Sequence, residues 1–236
     1  MKPLPWSFSA LNSFKTCPHQ FAEVKVYKRF EEEQGEAAAW GNFLHKELEK
    51  WVAAGITPHE NVRPYMEHVQ QAIMWMGGIV SRNSQTDSVL TFAEYRMSLN
   101  AKLRPCDWNA VDVWLRGIAD VLKINGNEAW VIDWKTGKVK PDSRQLRLFA
   151  VLVFYHFPKV INCHVSFEWL QFGKNTRETI NIMDVPSIWQ EFLPDLLQYR
   201  EAFKTETWQK RPSGLCKNYC PVHSCSHNGY FQKVVA

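Results

Sequence analysis

No apolar run in this 236-residue sequence approaches the roughly 20 residues needed to cross a bilayer, so no membrane span is expected. The opening stretch, MKPLPWSFSALNSF, has no long apolar segment and no small-residue cleavage site, so no secretory signal is expected either. No Gly-x-x-x-x-Gly-Lys-[Ser/Thr] motif occurs, which leaves no recognisable P-loop ATPase in the sequence. Internal repeats and low-complexity tracts are missing. Excess charge of either sign is small: 28 Lys and Arg stand against 24 Asp and Glu, and a net +4 permits a polyanionic partner without demanding one. With 45% hydrophobic and 22% charged residues, the composition is that of a globular chain rather than a disordered one.

Aromatic residues are abundant at 14%, with eleven Trp among them, and there are six cysteines. Without a secretion signal, a disulfide framework is disfavoured and metal ligation gains weight. Cys17 stands near the start, and Cys216, Cys220 and Cys225 crowd the end.

Ser7 or Ser9 can cap a helix over Ala10 to Arg29, with Leu11, Phe14, Phe21 and Val24 on one face. Glu31, Glu32 and Glu33 read as a solvated loop. A second helix is expected from Ala37 to Ala53 and a third from Pro58 to Val80, with a polar loop over Ser81 to Asp87. Strands are expected at Val89 to Leu99, Val111 to Ile124 and Ala129 to Lys135. A helix at Gln145 to Phe157 follows, then strands at Asn162 to Gln171 and Arg177 to Met183 and a helix at Pro186 to Phe203. The tail from Pro212 is rich in Cys, His, Gly and Asn and would need an external staple for order. The element order describes a mixed α/β protein.

The densest chemistry lies around Asn125-Gly126, which between two apolar runs reads as a two-residue hairpin turn. With Asn125 and Gly126 as the central turn residues, Ile124 pairs with Asn127, Asp120 with Val131, and Ile118 with Asp133. Asp120 and Asp133 then become diagonal neighbours on one face, within roughly 8 Å, and Lys135 shares that face. A slip of one residue would separate the aspartates. Two carboxylates and an ammonium are costly as bare charges in a half-buried sheet, and a divalent cation would offset that cost. An exposed sheet face with ordinary surface charges is the competing reading.

Gly117-x-x-Asp120 followed by Asp133-x-Lys135-Thr136-Gly137 resembles the PD-(D/E)XK nuclease superfamily, and within it the RecB-like exonuclease branch, which includes iron–sulfur nucleases of CRISPR adaptation and phage recombination exonucleases. Gly41-Asn42-Phe43-Leu44-His45 fits that branch's Gly-x-x-x-His helix motif, with Gly41 one turn before His45 and leaving room around the imidazole. Outside such a motif, a lone His on an amphipathic helix is more often structural. Gln145 matches the start of the Gln-x-x-x-Tyr motif, with Phe149 in place of the tyrosine. Cys17 with Cys216, Cys220 and Cys225 matches the cysteine layout of the members that carry a 4Fe–4S cluster. Structural zinc is the alternative, with His223 or His227 able to replace a thiol.

The resemblance spans Ser9 to Cys225. It implies a PD-(D/E)XK restriction-endonuclease-like core, a central mixed β-sheet flanked by helices, in one nuclease domain over 1–236. That domain would comprise a helical N-terminal part (1–85), a catalytic α/β core (86–206) and a cysteine-rich tail (207–236) packed on the N-terminal helix. It implies a metal-dependent deoxyribonuclease, an exonuclease more than an endonuclease, that hydrolyses phosphodiester bonds in bacterial or phage recombination, repair or replication, in the cytoplasm of a bacterial host. His45, Asp120, Asp133 and the Trp134 backbone carbonyl would hold one or two Mn2+ or Mg2+ ions. Lys135 would activate water and Gln145 would position the water or the phosphate. Glu94 reads as an outer acid or, slightly preferred, as an ordinary surface residue.

Lys138, Lys140, Arg144 and Arg147 crowd the segment after the metal strand and are candidates for holding the DNA backbone, against the reading of a solvated turn. The implied partners are DNA with a free end and, as separate chains, a single-strand annealing protein, helicase or other recombination partner. A catalytically quiet DNA-binding or accessory subunit is the alternative in a different class, and the complete set Asp120, Asp133 and Lys135 argues against it.

Overall fold

A computed structural model describes residues 1–32, 35–80, 86 and 89–235. Glu33, and most of the loop expected over Ser81 to Asp87, lie outside the described residues. The chain divides into two compact units, one made of Met1–Gly35 with Gln190–Ala236, the other of Glu36–Trp189.

The central unit holds helices α3 (Glu36–Ala54), α4 (Met66–Trp75) and α5 (Arg144–His156), and strands β1 (Val89–Asn100), β2 (Val113–Asn125), β3 (Glu128–Lys135), β4 (Asn162–Trp169) and β5 (Lys174–Asn181). The strands form one sheet in the order β1-β2-β3-β4-β5. Every neighbouring pair is antiparallel except β3 with β4, which α5 joins as a crossover. This is the mixed, helix-flanked sheet that the sequence implies. Leu44, Leu48 and Val52 recur on one face of α3 and are buried with Val69, Ala72 and Ile73 of α4 against Val121, Ile132 and Trp134 of the sheet. Helix α4 stops well short of the expected Val80. Gly77 and Gly78 both take positive φ there, and the buried Lys123 ammonium donates to the carbonyls of Met76, Gly77 and Gly78 at 2.8–3.0 Å.

The other unit holds α1 (Phe8–Thr16), α2 (Pro18–Phe21), a π-helical turn (Ala22–Val26), the larger part of α6 (Val185–Thr205), and a tail with α7 (Gly229–Val235). Ser7 Oγ caps α1 by accepting from Ala10 N–H. The single helix expected to Arg29 is instead broken at Cys17, which is extended at φ −158° and ψ 104°. Proline at 18 pushes its predecessor out of the helical region and restarts the helix as its first residue. Phe14, Phe21, Tyr199 and Phe203 pack with ring centroids 4.9–6.4 Å apart, several edge to face, so much of the aromatic excess is core. The tail packs as well. Val222 and Cys225 are buried against Val24 of the π-helical turn.

Candidate active site

The β2–β3 turn differs by one residue from the sequence expectation. Asn125 pairs with Glu128, which makes Gly126 and Asn127 the central residues. Gly126 takes φ +60°, as the first central position of a type II′ turn requires. The register moves by two residues, so the side-chain phase is kept. The ladder ends at Val121 with Ile132, one step before Asp120 and Asp133. Beyond it the Asp120 carboxylate replaces a strand carbonyl, and its Oδ2 accepts the Trp134 N–H at 2.7 Å. What the structure records for the Trp134 backbone at this site is therefore its N–H.

A second irregularity aims the acids. Ala93 and Val121 join the core beneath α3 and α4. Tyr95, two residues along β1, instead contacts Phe157 beyond α5 at 5.7 Å, and a Cβ on Gly117 would meet Leu152 of α5 at 2.5 Å. In regular strands Ala93 and Tyr95 would share a face, as would Gly117 and Val121. The phase switches at Glu94, a non-glycine residue at φ +49°, a conformation that costs of order 1 kcal/mol and collects at functional sites. The pairs Ala93 with Val121 and Tyr95 with Ala119 bracket Glu94 opposite Asp120.

As a result, ligand atoms of His45, Glu94 and Asp120 lie within 4.8 Å of one another, the one such His/Cys/Asp/Glu group among the described residues. His45 Nδ1 is 3.1 Å from Asp120 Oδ1. Burial opposes charge on His45, but the hydrogen bond and charge of Asp120, with Asp133 and Glu94 behind it, outweigh burial and raise the imidazole to about 9. Burial and the Asp120 carboxylate lift Glu94 to about 7. The His45 shift expresses the negative charge around the imidazole, and the Glu94 shift expresses burial first and the Asp120 charge second. A buried and a half-buried carboxylate with an imidazole suit a divalent transition ion, so the donor set fits the metal that the motifs imply. Sequence reasoning undervalued Glu94, although its register opposite Asp120 could have been counted from β1. Its backbone conformation could not.

Asp133 stands beside that group. Its Oδ2 is paired with the Lys135 ammonium, and its Oδ1 accepts from Gln145 Nε2 at 3.2 Å. Gln145 Oε1 in turn accepts from Lys135 Nζ at 3.0 Å. Burial raises Asp133 to about 6 despite Lys135. The start of α5 thus holds the Asp-x-Lys strand end in a closed three-residue ring. Phe149, in place of the motif tyrosine, is buried and would lie in ordinary van der Waals contact, at 3.5 Å, with a Cβ at Gly117. The room left by Gly41 is also occupied differently than expected, since a Cβ there would meet Thr136 Oγ1 at 3.1 Å rather than the imidazole.

Of the four basic candidates, Lys138 and Lys140 are exposed. Arg144 pairs with Asp142 and Arg147 with Glu178, each at 2.9 Å.

Cys17, Cys216, Cys220 and Cys225 line one cavity in the other unit, with His19 and His227 beside them. None is in a disulfide. Burial raises the Cys220 thiol, and the neighbouring Cys216, Cys17 and Cys225 add to the shift. The four thiols line that cavity, but no three of them come within 4.8 Å of one another.

The model of the PD-(D/E)XK nuclease superfamily matches residues 5–225. The chain belongs to this superfamily. No curated protein matches its sequence. Among solved structures, this PD-(D/E)XK protein is similar to a "putative exonuclease" from Eubacterium rectale, with a TM-score of 0.54 and 11% identity over 92% of this chain and 86% of that one. That likeness speaks for a common fold. A further structure, SSO0001, aligns at a TM-score of 0.40 and 13% identity over 97% of this chain and 89% of that one, and carries no weight below. No helix among the described residues is long and apolar enough to cross a membrane.

Proposed function

We propose that this PD-(D/E)XK protein is a divalent-metal-dependent DNA exonuclease of the RecB-like branch, acting in recombination, repair or replication. The observation that carries the reading is the convergence of His45, Glu94 and Asp120 next to the Asp133–Lys135–Gln145 ring. His45, Glu94 and Asp120 would hold the cation, with Asp133 able to join once Lys135 moves off its carboxylate. A divalent cation bound there supplies charge neutralisation at the phosphate and acidification of water.

The remaining roles fall to the chain. Lys135, oriented by Gln145, holds a proton-bearing ammonium where it can position the attacking water and offset charge that builds up on the phosphate. Gln145 fixes Lys135 and Asp133 relative to each other. The Trp134 N–H locks the Asp120 rotamer by donating to Oδ2 and leaves Oδ1 facing His45.

Cys17, Cys216, Cys220 and Cys225 would hold a 4Fe–4S cluster that ties the tail to the α1–α2 junction and acts as a structural cross-link. Aerobic purification should then give a brown protein. A colourless one with stoichiometric zinc would replace the cluster with a zinc site.

The test of the nuclease reading is digestion of linear, circular and single-stranded DNA, labelled at each end, with manganese or magnesium added. Wild type should degrade the linear substrates and spare the circular ones, with manganese at least as effective as magnesium because an imidazole is in the donor set. Asp120→Ala and Lys135→Ala should abolish cleavage while keeping the wild-type circular dichroism spectrum. Full cleavage by both folded variants would end the nuclease reading.

A further inference from the structure

The phase switch at Glu94 has a consequence further along the same strands. Beyond it, the face that carries Glu94 and Asp120 also carries Arg96 on β1 and Ile118, Arg116 and Trp114 on β2, because alternate residues share a face. Tyr95 and Gly117 take the opposite face, toward α5 and Phe157. Arg96 pairs with Ile118, so Arg116 is its diagonal neighbour. Both guanidinium groups lie over the ring of Trp108, from the β1–β2 connection, at 5.5 and 5.1 Å from its centroid.

Two cations held against one indole repel each other, and neither has an ion pair with a carboxylate among the described residues. That sets them apart from Arg144, Arg147 and Arg177 of the same unit, each of which is paired with an acid. Arg116 Nε is also shut off from solvent with no hydrogen-bond partner. At about 3.3 Å per strand residue, Arg96 stands ~7 Å from Glu94 and Arg116 ~13 Å from Asp120, along a face leading away from the acids.

We propose that Arg96 and Arg116, pre-set by Trp108, form a phosphate clamp that grips the backbone of the nucleic-acid strand next to the phosphate at the His45–Glu94–Asp120 site. The clamp rests on the nuclease reading for its purpose and extends it to residues outside the family motifs. The indole fixes two otherwise flexible forks, so little rotamer freedom remains to be lost on binding. The missing anionic partners are then the phosphates of the substrate.

The clamp is tested by binding rather than by turnover. A fluorescein-labelled oligo-dT 20-mer is titrated with the full chain in chelator, where hydrolysis is stopped, at several salt concentrations and read by anisotropy. Each released phosphate contact should remove roughly 0.7 from the slope of log Kd against log salt. The Arg96→Gln/Arg116→Gln double variant should bind about 10-fold or more weakly, with a slope lower by roughly 1.4. Arg96→Lys, which keeps the charge, should retain the wild-type slope. Trp108→Phe should bind nearly as wild type, and Trp108→Ala weaker.

A purely structural arginine–tryptophan stack would leave affinity and slope unchanged in the exposed-site variant Arg96→Gln, and that result overturns the clamp. Because Arg96 is exposed, this single variant decides the matter even if the double variant does not fold. Wild-type cleavage of the same oligonucleotide in manganese is scored separately. Lost binding in the variants without any wild-type cleavage would sink the nuclease reading and keep the clamp. Wild-type cleavage with unaltered binding in the variants would do the reverse.

Discussion

Metal affinity at the His45–Glu94–Asp120 site should climb steeply with pH, by an amount that follows from the two raised pKa values. In the metal-free protein, His45 at about 9 is ~99% charged at pH 7 and ~90% charged at pH 8. Glu94 at about 7 passes from ~50% to ~10% protonated over the same step. A cation must displace both protons, so the handicap is roughly 200-fold at pH 7 and roughly 12-fold at pH 8. The apparent association constant for Mn2+ should therefore rise about 15- to 20-fold between these pH values.

The stability of the metal-free protein runs the other way. His45 is raised above its ordinary 6.5, so its contribution is full below that value and is lost as pH rises through about 9. Glu94 is raised above its ordinary 4.5, so the metal-free fold also weakens as pH rises from there through about 7. The gain in melting temperature on adding manganese should accordingly grow with pH. Isothermal titration calorimetry in two buffers of different ionisation enthalpy measures both the affinity and the protons released. His45→Asn should flatten the rise. Equal wild-type affinity at pH 7 and pH 8, with no proton release, would refute the claim that the resting imidazole is cationic and yields its place to the metal.

Two further outcomes concern the scaffold. Gly117→Ala drives a methyl to within 2.5 Å of Leu152 Cδ1, inside a wall where Leu152 is fully buried, and should cost about 1–3 kcal/mol in urea unfolding. Trimming Leu152 to Val should recover part of that, and an unchanged urea midpoint in Gly117→Ala would show that α5 can move away freely. Lys123→Met removes the donor from three carbonyls at the end of α4 and should cost about 2–3 kcal/mol. A stability equal to wild type would mean that water caps that helix as well as the ammonium does.

Much of this protein is written in local pattern. Period-2 and period-3.6 apolar spacing placed all five strands and α3, α5 and α6 within about three residues of their observed ends. The hairpin spacing brought Asp120, Asp133 and Lys135 to one face, because residues two apart on a strand share a face whatever the rest of the chain does. His45 and Gln145 were singled out by the resemblance to the family's Gly-x-x-x-His and Gln-x-x-x-Tyr motifs. The turn was misplaced by one residue because Asn125-Gly126 and Gly126-Asn127 both suit a two-residue hairpin. The choice is made by contacts from outside the hairpin, where β3 also pairs with β4 and the Asn127 carbonyl in the turn accepts from the N–H groups of Ile161 and Asn162.

Three things belonged to the tertiary structure alone. Glu94 reads as one acid among many until its left-handed backbone turns it toward α3, and no local propensity asks a glutamate for that conformation. Arg147 looks like a free cation until Glu178 of β5 comes within reach. Arg96, Trp108 and Arg116 are scattered in sequence, and the β1–β2 register brings them together. Periodicity reports which face a residue shares with its own neighbours. Which charges end up paired depends on distances between segments far apart in the chain, and only the packed sheet sets those.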